Sequence, residues 1–68
     1  MQKTGDRIRY FRMKKSMTQQ ELADKLGVNQ CSISEYENNR AELTLPKLVR
    51  LAEALEVTIY DLIGRDTA

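Results

Sequence analysis

Four side chains within six positions, Gln30, Cys31, Ser34 and Glu35, differ in what they can offer a partner. An amide both donates and accepts, a hydroxyl can do either, an ionised carboxylate only accepts, and a thiol bonds weakly. That set suits recognition better than catalysis. The chain has no histidine and no glycine-rich phosphate loop, and no nucleophile and base can be paired from its residues, so no enzymatic activity is expected. One cysteine cannot close an intramolecular bridge, and without histidine it cannot build a structural zinc site. Neither a metal, a cofactor nor a small-molecule ligand is expected.

The elements that must present these side chains can be read from spacing and caps. Ile8, Phe11 and Arg12 stand at helical spacing, which predicts a first helix over Asp6 to Lys15 with Gly5 ahead of it as a permissive start. Thr18-Gln19-Gln20-Glu21 fits a capping box, in which hydroxyl and carboxylate satisfy each other's free backbone amides, so a second helix opens there. Leu22, Ala23 and Leu26 form its inward stripe, and Gly27 supplies the left-handed turn that ends it. Asn29 is a suitable N-cap for a third helix reaching Asn38. At about 100° per residue, Ile33 and Tyr36 fall on one side of that helix and Gln30, Cys31, Ser34, Glu35 and Asn38 on the other.

Asn38 to Glu42 reads as a loop. Thr44-Leu45-Pro46 then opens a fourth helix that runs to about Glu56, with Leu45, Leu48, Leu51, Ala52 and Leu55 as one apolar stripe. Thr58-Ile59-Tyr60-Asp61 repeats the capping pattern and starts a short fifth helix through Ile63, closed by Gly64, with the last four residues frayed. No internal repeat or alternating strand pattern appears, so the expected fold is all-α: a single domain over residues 1–68, with its core about 5–64.

Composition agrees, since 41% apolar and 31% charged residues are ordinary for a soluble globular protein. With no apolar run near the roughly 18 residues of a membrane span and no secretory signal at the start, a cytoplasmic location is expected. A net charge of +1 argues against a strongly basic surface. The charge is uneven, however: residues 1–40 carry eight basic and five acidic side chains, and residues 41–68 three and five.

The most specific pattern is a small residue, Ala23, four positions before Gly27, with Ile33 six positions after it. That is the signature of a helix-turn-helix. Ala23 allows close helix approach, Gly27 takes backbone angles other residues avoid, and Val28 with Ile33 fills the angle between the helices. Through Thr18 to Val28, Ile33 to Asn38, Leu-Ala-Glu-Ala-Leu at 51–55 and Asp61-Leu62-Ile63, the chain resembles the lambda, 434 and Cro repressor family over nearly its whole length.

The resemblance implies a compact five-helix domain whose third helix enters the major groove of double-stranded DNA. It places Gln30 where family members reach base edges, and an amide can bond adenine N6 and N7 together. Ser34 can serve any base edge, Glu35 can accept from cytosine N4, and Cys31 can touch a thymine methyl or simply lie on the surface. Backbone phosphates are expected at Thr18, Gln19 and the free amides of the second helix, and at Asn38 and Arg40. The resemblance also suggests an internal ion pair, Arg12 with Glu37, and a homodimer contact at Tyr60 and Ile63.

Each of these has a plainer alternative. The outward residues of the third helix could be an ordinary solvated face, Arg7, Arg9, Lys14 and Lys15 ordinary solvated charge, and Tyr60 and Ile63 scattered surface apolarity. Tyr36 reads as core with its hydroxyl at the rim. The expected function is a transcriptional regulator, a repressor, that binds a near-palindromic operator as a dimer, with no segment left for an effector domain. The alternative is an antitoxin or other protein-interaction module whose DNA binding is secondary.

Overall fold

An isolated helix shorter than about 12 residues is unstable in water, and no helix among the described residues exceeds 11. Each must therefore be held by its neighbours. The computed structural model of the chain describes residues 3–64. Within them lie α1 (Thr4–Lys14), α2 (Gln19–Leu26), α3 (Gln30–Glu37), α4 (Leu45–Leu55) and α5 (Ile59–Ile63), and the described residues contain no strand. The fraying expected of residues 65–68 falls outside the described residues.

All five helices contribute to one core of Ile8, Leu22, Ala23, Leu26, Ile33, Tyr36, Leu51, Ala52, Leu55 and Leu62. Seven of these side chains are fully buried, and each of the six large ones, Ile8, Leu22, Ile33, Leu51, Leu55 and Leu62, contributes roughly 1.5–3 kcal/mol relative to exposure. α3 packs on α1 and α2, α4 on α2, α5 and α1, and α1 also on α5. Of the stripe expected on α4, Leu51, Ala52 and Leu55 are buried and Leu48 is packed on the core, but Leu45 is 63% exposed. Leu45 occupies the first position of the helix, ahead of the turns that lie on the core, so helical spacing alone overextends the stripe.

The helix ends follow local chemistry in most places. Thr18 Oγ1 accepts from the Glu21 amide at 3.0 Å while Glu21 Oε1 accepts from the Thr18 amide at 2.8 Å. Thr58 and Asp61 repeat this at α5. Gly27 takes a left-handed conformation (φ 69°), and the Val28 amide reaches back to the Ala23 carbonyl at 3.0 Å, closing α2. α4 closes the same way with a glutamate, Glu56, at φ 59°. Asn29 and Thr44 occupy the N-cap positions of α3 and α4, but their side chains make no cap bond.

The start of α1 differs from expectation. The helix begins at Thr4, so Gly5 lies inside it and is buried, not ahead of it as a flexible lead. A Cβ at Gly5 would collide with the Tyr36 carbonyl and lie 2.8 Å from that of Glu37. Glycine thus lets the first turn of α1 meet the last turn of α3, where the Gly5 amide donates to Asn39 Oδ1 at 2.9 Å. No described helix is long and apolar enough to cross a membrane.

Candidate nucleic-acid interface

α3 is sided. Ile33, Tyr36 and Glu37 are buried, whereas Gln30, Cys31, Glu35 and Asn38 are exposed and Ser34 is half-buried. The inner face is seated by the helix-turn-helix residues: Ala23 and Ile33 are fully buried, Gly27 makes the turn, and Val28 packs against the core beside them. A helix fixed on one side by fully buried side chains holds the other side at a constant height and angle.

Beneath the exposed face runs a polar chain. Arg12 donates from Nε to Glu37 Oε2 at 2.5 Å and from Nη2 to Glu37 Oε1 at 3.1 Å, and from Nη1 to the Met17 carbonyl at 2.6 Å. One guanidinium therefore ties α1, the turn before α2, and α3. The pair is nearly dry, with side chains 12% and 3% exposed. Glu37 Oε1 also accepts from Gln19 Nε2 at 3.1 Å, and Gln19 Oε1 accepts from Gln30 Nε2 at 3.2 Å. The Arg12–Glu37 pair is the one the resemblance suggests; the onward linkage through Gln19 to Gln30 is not in the sequence. Gln30 and Glu37 stand seven positions apart on α3, two helical turns, but Gln19 stands on α2, and no spacing within one helix joins it to them.

Thr18 and Gln19 stand at the opening of α2, where unpaired amides and the helix dipole favour an anion. The Thr18 hydroxyl accepts the cap bond from the Glu21 amide and keeps its own proton to donate. At the far end of α3, Asn38 turns its Nδ2 back to the Ser34 carbonyl at 2.8 Å and to Ser34 Oγ at 3.4 Å, so these two expected contacts are brought together. Arg40 is exposed, and its backbone amide donates to the Glu35 carbonyl at 2.9 Å. An open groove beside the start of α2 is lined by Met13, Ser16, Met17, Gln20 and Gln30.

The remaining N-terminal cations are dispersed. Arg7 donates to the Asp61 carbonyl at 3.3 Å, and its Nε is buried without a partner among the described residues. Lys14 lies 5.8 Å over the Tyr10 ring. Lys15 pairs with Glu56 at 2.7 Å, and that hydrogen bond, with the attraction of the charges, lowers the Glu56 carboxyl from its ordinary value of 4.5. Tyr60 and Ile63 are exposed three residues apart on α5. No cluster of metal-ligating side chains occurs among the described residues.

Two short helices crossing at a left-handed glycine, the second with a buried apolar side and an exposed hydrogen-bonding side, define a helix-turn-helix DNA-binding domain. The profile of the helix-turn-helix family HTH_3, of the Cro/C1 type, matches residues 8–62, and the chain belongs to that family. It is similar to the cryptic phage CTXphi transcriptional repressor RstR of Vibrio cholerae, 35% identical over 63 residues, 93% of this chain and 56% of the repressor. It is also similar to antitoxin HipB of Escherichia coli K12, 35% identical over 52 residues, 76% of this chain and 59% of the antitoxin. The chain thus spans less than two thirds of the length of these curated relatives. Among solved structures, the P22 c2 repressor in complex with a synthetic operator matches with a TM-score of 0.87 at 32% identity, over 97% of this chain and 100% of that one. The five-helix fold is that of lambda-repressor-like DNA-binding domains, and the family is one of transcriptional regulators rather than enzymes.

Proposed function

We propose that the chain represses transcription by binding a near-palindromic operator as a two-fold dimer, with α3 of each copy in the major groove. The observation that carries this reading is the sidedness of α3: Ile33 is fully buried while Gln30, Cys31 and Glu35 on the other side stand open to solvent. The likeness to a repressor solved on its operator supports the same docking. In that arrangement Gln30, Cys31, Ser34 and Glu35 meet base edges. Thr18, Gln19, Asn38 and Arg40 meet phosphates, which fix register without reading sequence. Tyr60 and Ile63 bring two copies together so that the recognition helices lie about 34 Å apart on one face of the duplex.

Selection of bound duplexes from a random pool tests the operator. On the duplex recovered, Gln30→Ala should weaken binding by roughly 1–3 kcal/mol while leaving random DNA almost unaffected. Equal loss on both would make Gln30 a positioning residue only. Sedimentation of the wild type against Tyr60→Ala with Ile63→Ala tests the dimer contact.

The likeness to HipB favours a second reading, in which the chain is an antitoxin that covers a protein partner and binds DNA secondarily. Salt separates the two. Neutralising phosphates makes log affinity fall with log salt at a slope of about −0.9 per phosphate. A steep slope on duplex DNA supports the repressor, and a flat one the protein-binding module.

A further inference from the structure

We propose that a trough between α2 and α4 is a docking site for a short acidic segment of a protein partner, one that carries a small apolar side chain among its carboxylates. Two adjoining clefts make up the trough. The first, of about 40 Å³, is walled by Leu26, Val28, Tyr36 and Leu51, and the exposed Lys47 and Arg50 also line it. The second, of about 360 Å³, is lined by Lys25, Leu26, Arg50, Glu53 and Ala54. Leu26 and Arg50 belong to both, so the two clefts join.

The charge of this trough is uncompensated. Lys25, Lys47 and Arg50 are exposed, and none of the three forms an ion pair among the described residues. Their partners are dipoles instead. Arg50 Nη2 donates to the Leu26 carbonyl at 2.7 Å, Lys25 Nζ to the Ala54 carbonyl at 3.4 Å and Lys47 Nζ to the Glu42 carbonyl at 3.5 Å. Lys47 Nζ also lies 5.9 Å from the centre of the Tyr36 ring. A carbonyl or a ring face orients a cation without cancelling its charge. Among the described residues Glu53 is the only acid on the walls, so three cations face one carboxylate. Of the five N–H groups of Arg50, one is used there.

Cations held beside an apolar floor call for a ligand that is anionic and apolar at once. A carboxylate fits the free fork of Arg50 and the ammonium groups of Lys25 and Lys47, and an alkyl side chain gains by leaving water for the walls of Leu26, Val28 and Leu51. A phosphate backbone would match the cations and leave the floor unused. The proposal goes beyond both readings of the function and depends on neither, because no residue assigned to bases, phosphates or the dimer contact lines either cleft. The outer side of α3 is thus left to DNA while a partner is bound.

Titration of the isotope-labelled full chain at low salt with the blocked peptide acetyl-Glu-Glu-Val-Glu-Glu-amide, followed by NMR, tests this. Amide shifts at Leu26, Val28 and Leu51 should saturate with a Kd below about 1 mM. An analogue with glutamine for every glutamate should bind at least about tenfold more weakly, and one with serine for valine at least about threefold. Lys25→Gln and Lys47→Gln should each weaken the first peptide by at least about twofold, with the thermal melt unchanged. The analogues leave the protein as it is, so they decide the matter if a lysine variant melts early. No saturation, shifts centred outside the trough, or equal binding of either analogue would overturn the proposal, as would binding indifferent to two folded lysine variants. Duplex DNA gives the last check. A salt slope of duplex binding unchanged by Lys47→Gln supports the peptide site, and one made shallower by about 0.9 would assign the trough to phosphate and overturn it.

Discussion

Glu37 and Leu55 are 5% and 1% exposed, yet they hold the domain together by different physics. Where α1, α2 and α3 meet, Glu37 gathers Arg12 and Gln19 into directed bonds, and Gln30 is attached to the end of the chain. Where α4 and α5 close the domain, Leu51, Ala52, Leu55 and Leu62 do the work, and polar links such as Lys15 to Glu56 run outside them. Apolar burial is non-directional and supplies stability without fixing where any one atom points. Hydrogen bonds weaken steeply off axis and fix orientation. Direction is found on the side that presents Gln30, and bulk on the side that supports it.

The comparison breaks most sharply at the ion pair. Arg12→Ala should destabilise the fold by about 3–5 kcal/mol in urea unfolding, because it leaves a buried carboxylate without its partner. Replacing both partners by methionine should restore most of that stability, yet it should not restore base discrimination at Gln30. A double variant as unstable as the sum of its single variants would show that direction and stability are not separable here.

At the apolar end, Leu55→Ala should cost about 2–5 kcal/mol through lost burial and the cavity left behind. Among molecules that remain folded, the preference between bases should be unchanged. A change in that preference would mean that α4 orients α3 rather than only supporting it.

Smaller effects separate caps that bond from caps that only occupy the position. Thr18→Ala and Thr58→Ala each remove a hydroxyl that accepts a backbone amide, and each should lower stability by about 1 kcal/mol. Thr44→Ala removes no such bond and should change the melt by a few tenths at most. A Thr44 effect as large as that of Thr18 would contradict the bond pattern.

The smallest effect is at Glu56. Its folded-state carboxyl is held below the ordinary 4.5 by Lys15, so the pair adds stability above that pH and loses it as pH falls through the lowered value. An NMR titration should show Glu56 protonating at lower pH in the wild type than in Lys15→Met. Because Glu56 is open to solvent, the difference should shrink in high salt.

The legible parts of the fold were those set by neighbours in the chain. Two capping boxes, the left-handed turn at Gly27 and the inward residues of α2 and α3 follow from residues three or four apart, and the structure has them where the pattern puts them. The departures have a common cause. Gly5 reads as a flexible start because nothing near it in sequence shows that the carbonyls of Tyr36 and Glu37 come to rest against it. Leu45 fits the spacing of the stripe, but spacing does not show where the core ends. Asn29 and Thr44 are suitable cap residues whose side chains make no cap bond, and nothing local marks them apart from Thr18.

Local pattern along the chain is enough to define the class of the molecule: five short helices in a stated order, a glycine turn between the second and third, and a third helix polar on one side. These are consequences of backbone geometry and of side-chain periods within single helices, and both act over a few residues. The fold, and no local pattern, settles that Arg12 grips both oxygens of Glu37 and that Gln19 reaches Glu37 across 18 positions, leaving its own oxygen for Gln30. An amide's two ends are alike in size and differ only in whether they give or take a proton. Which end faces the partner is therefore set by the groups that the fold brings beside it.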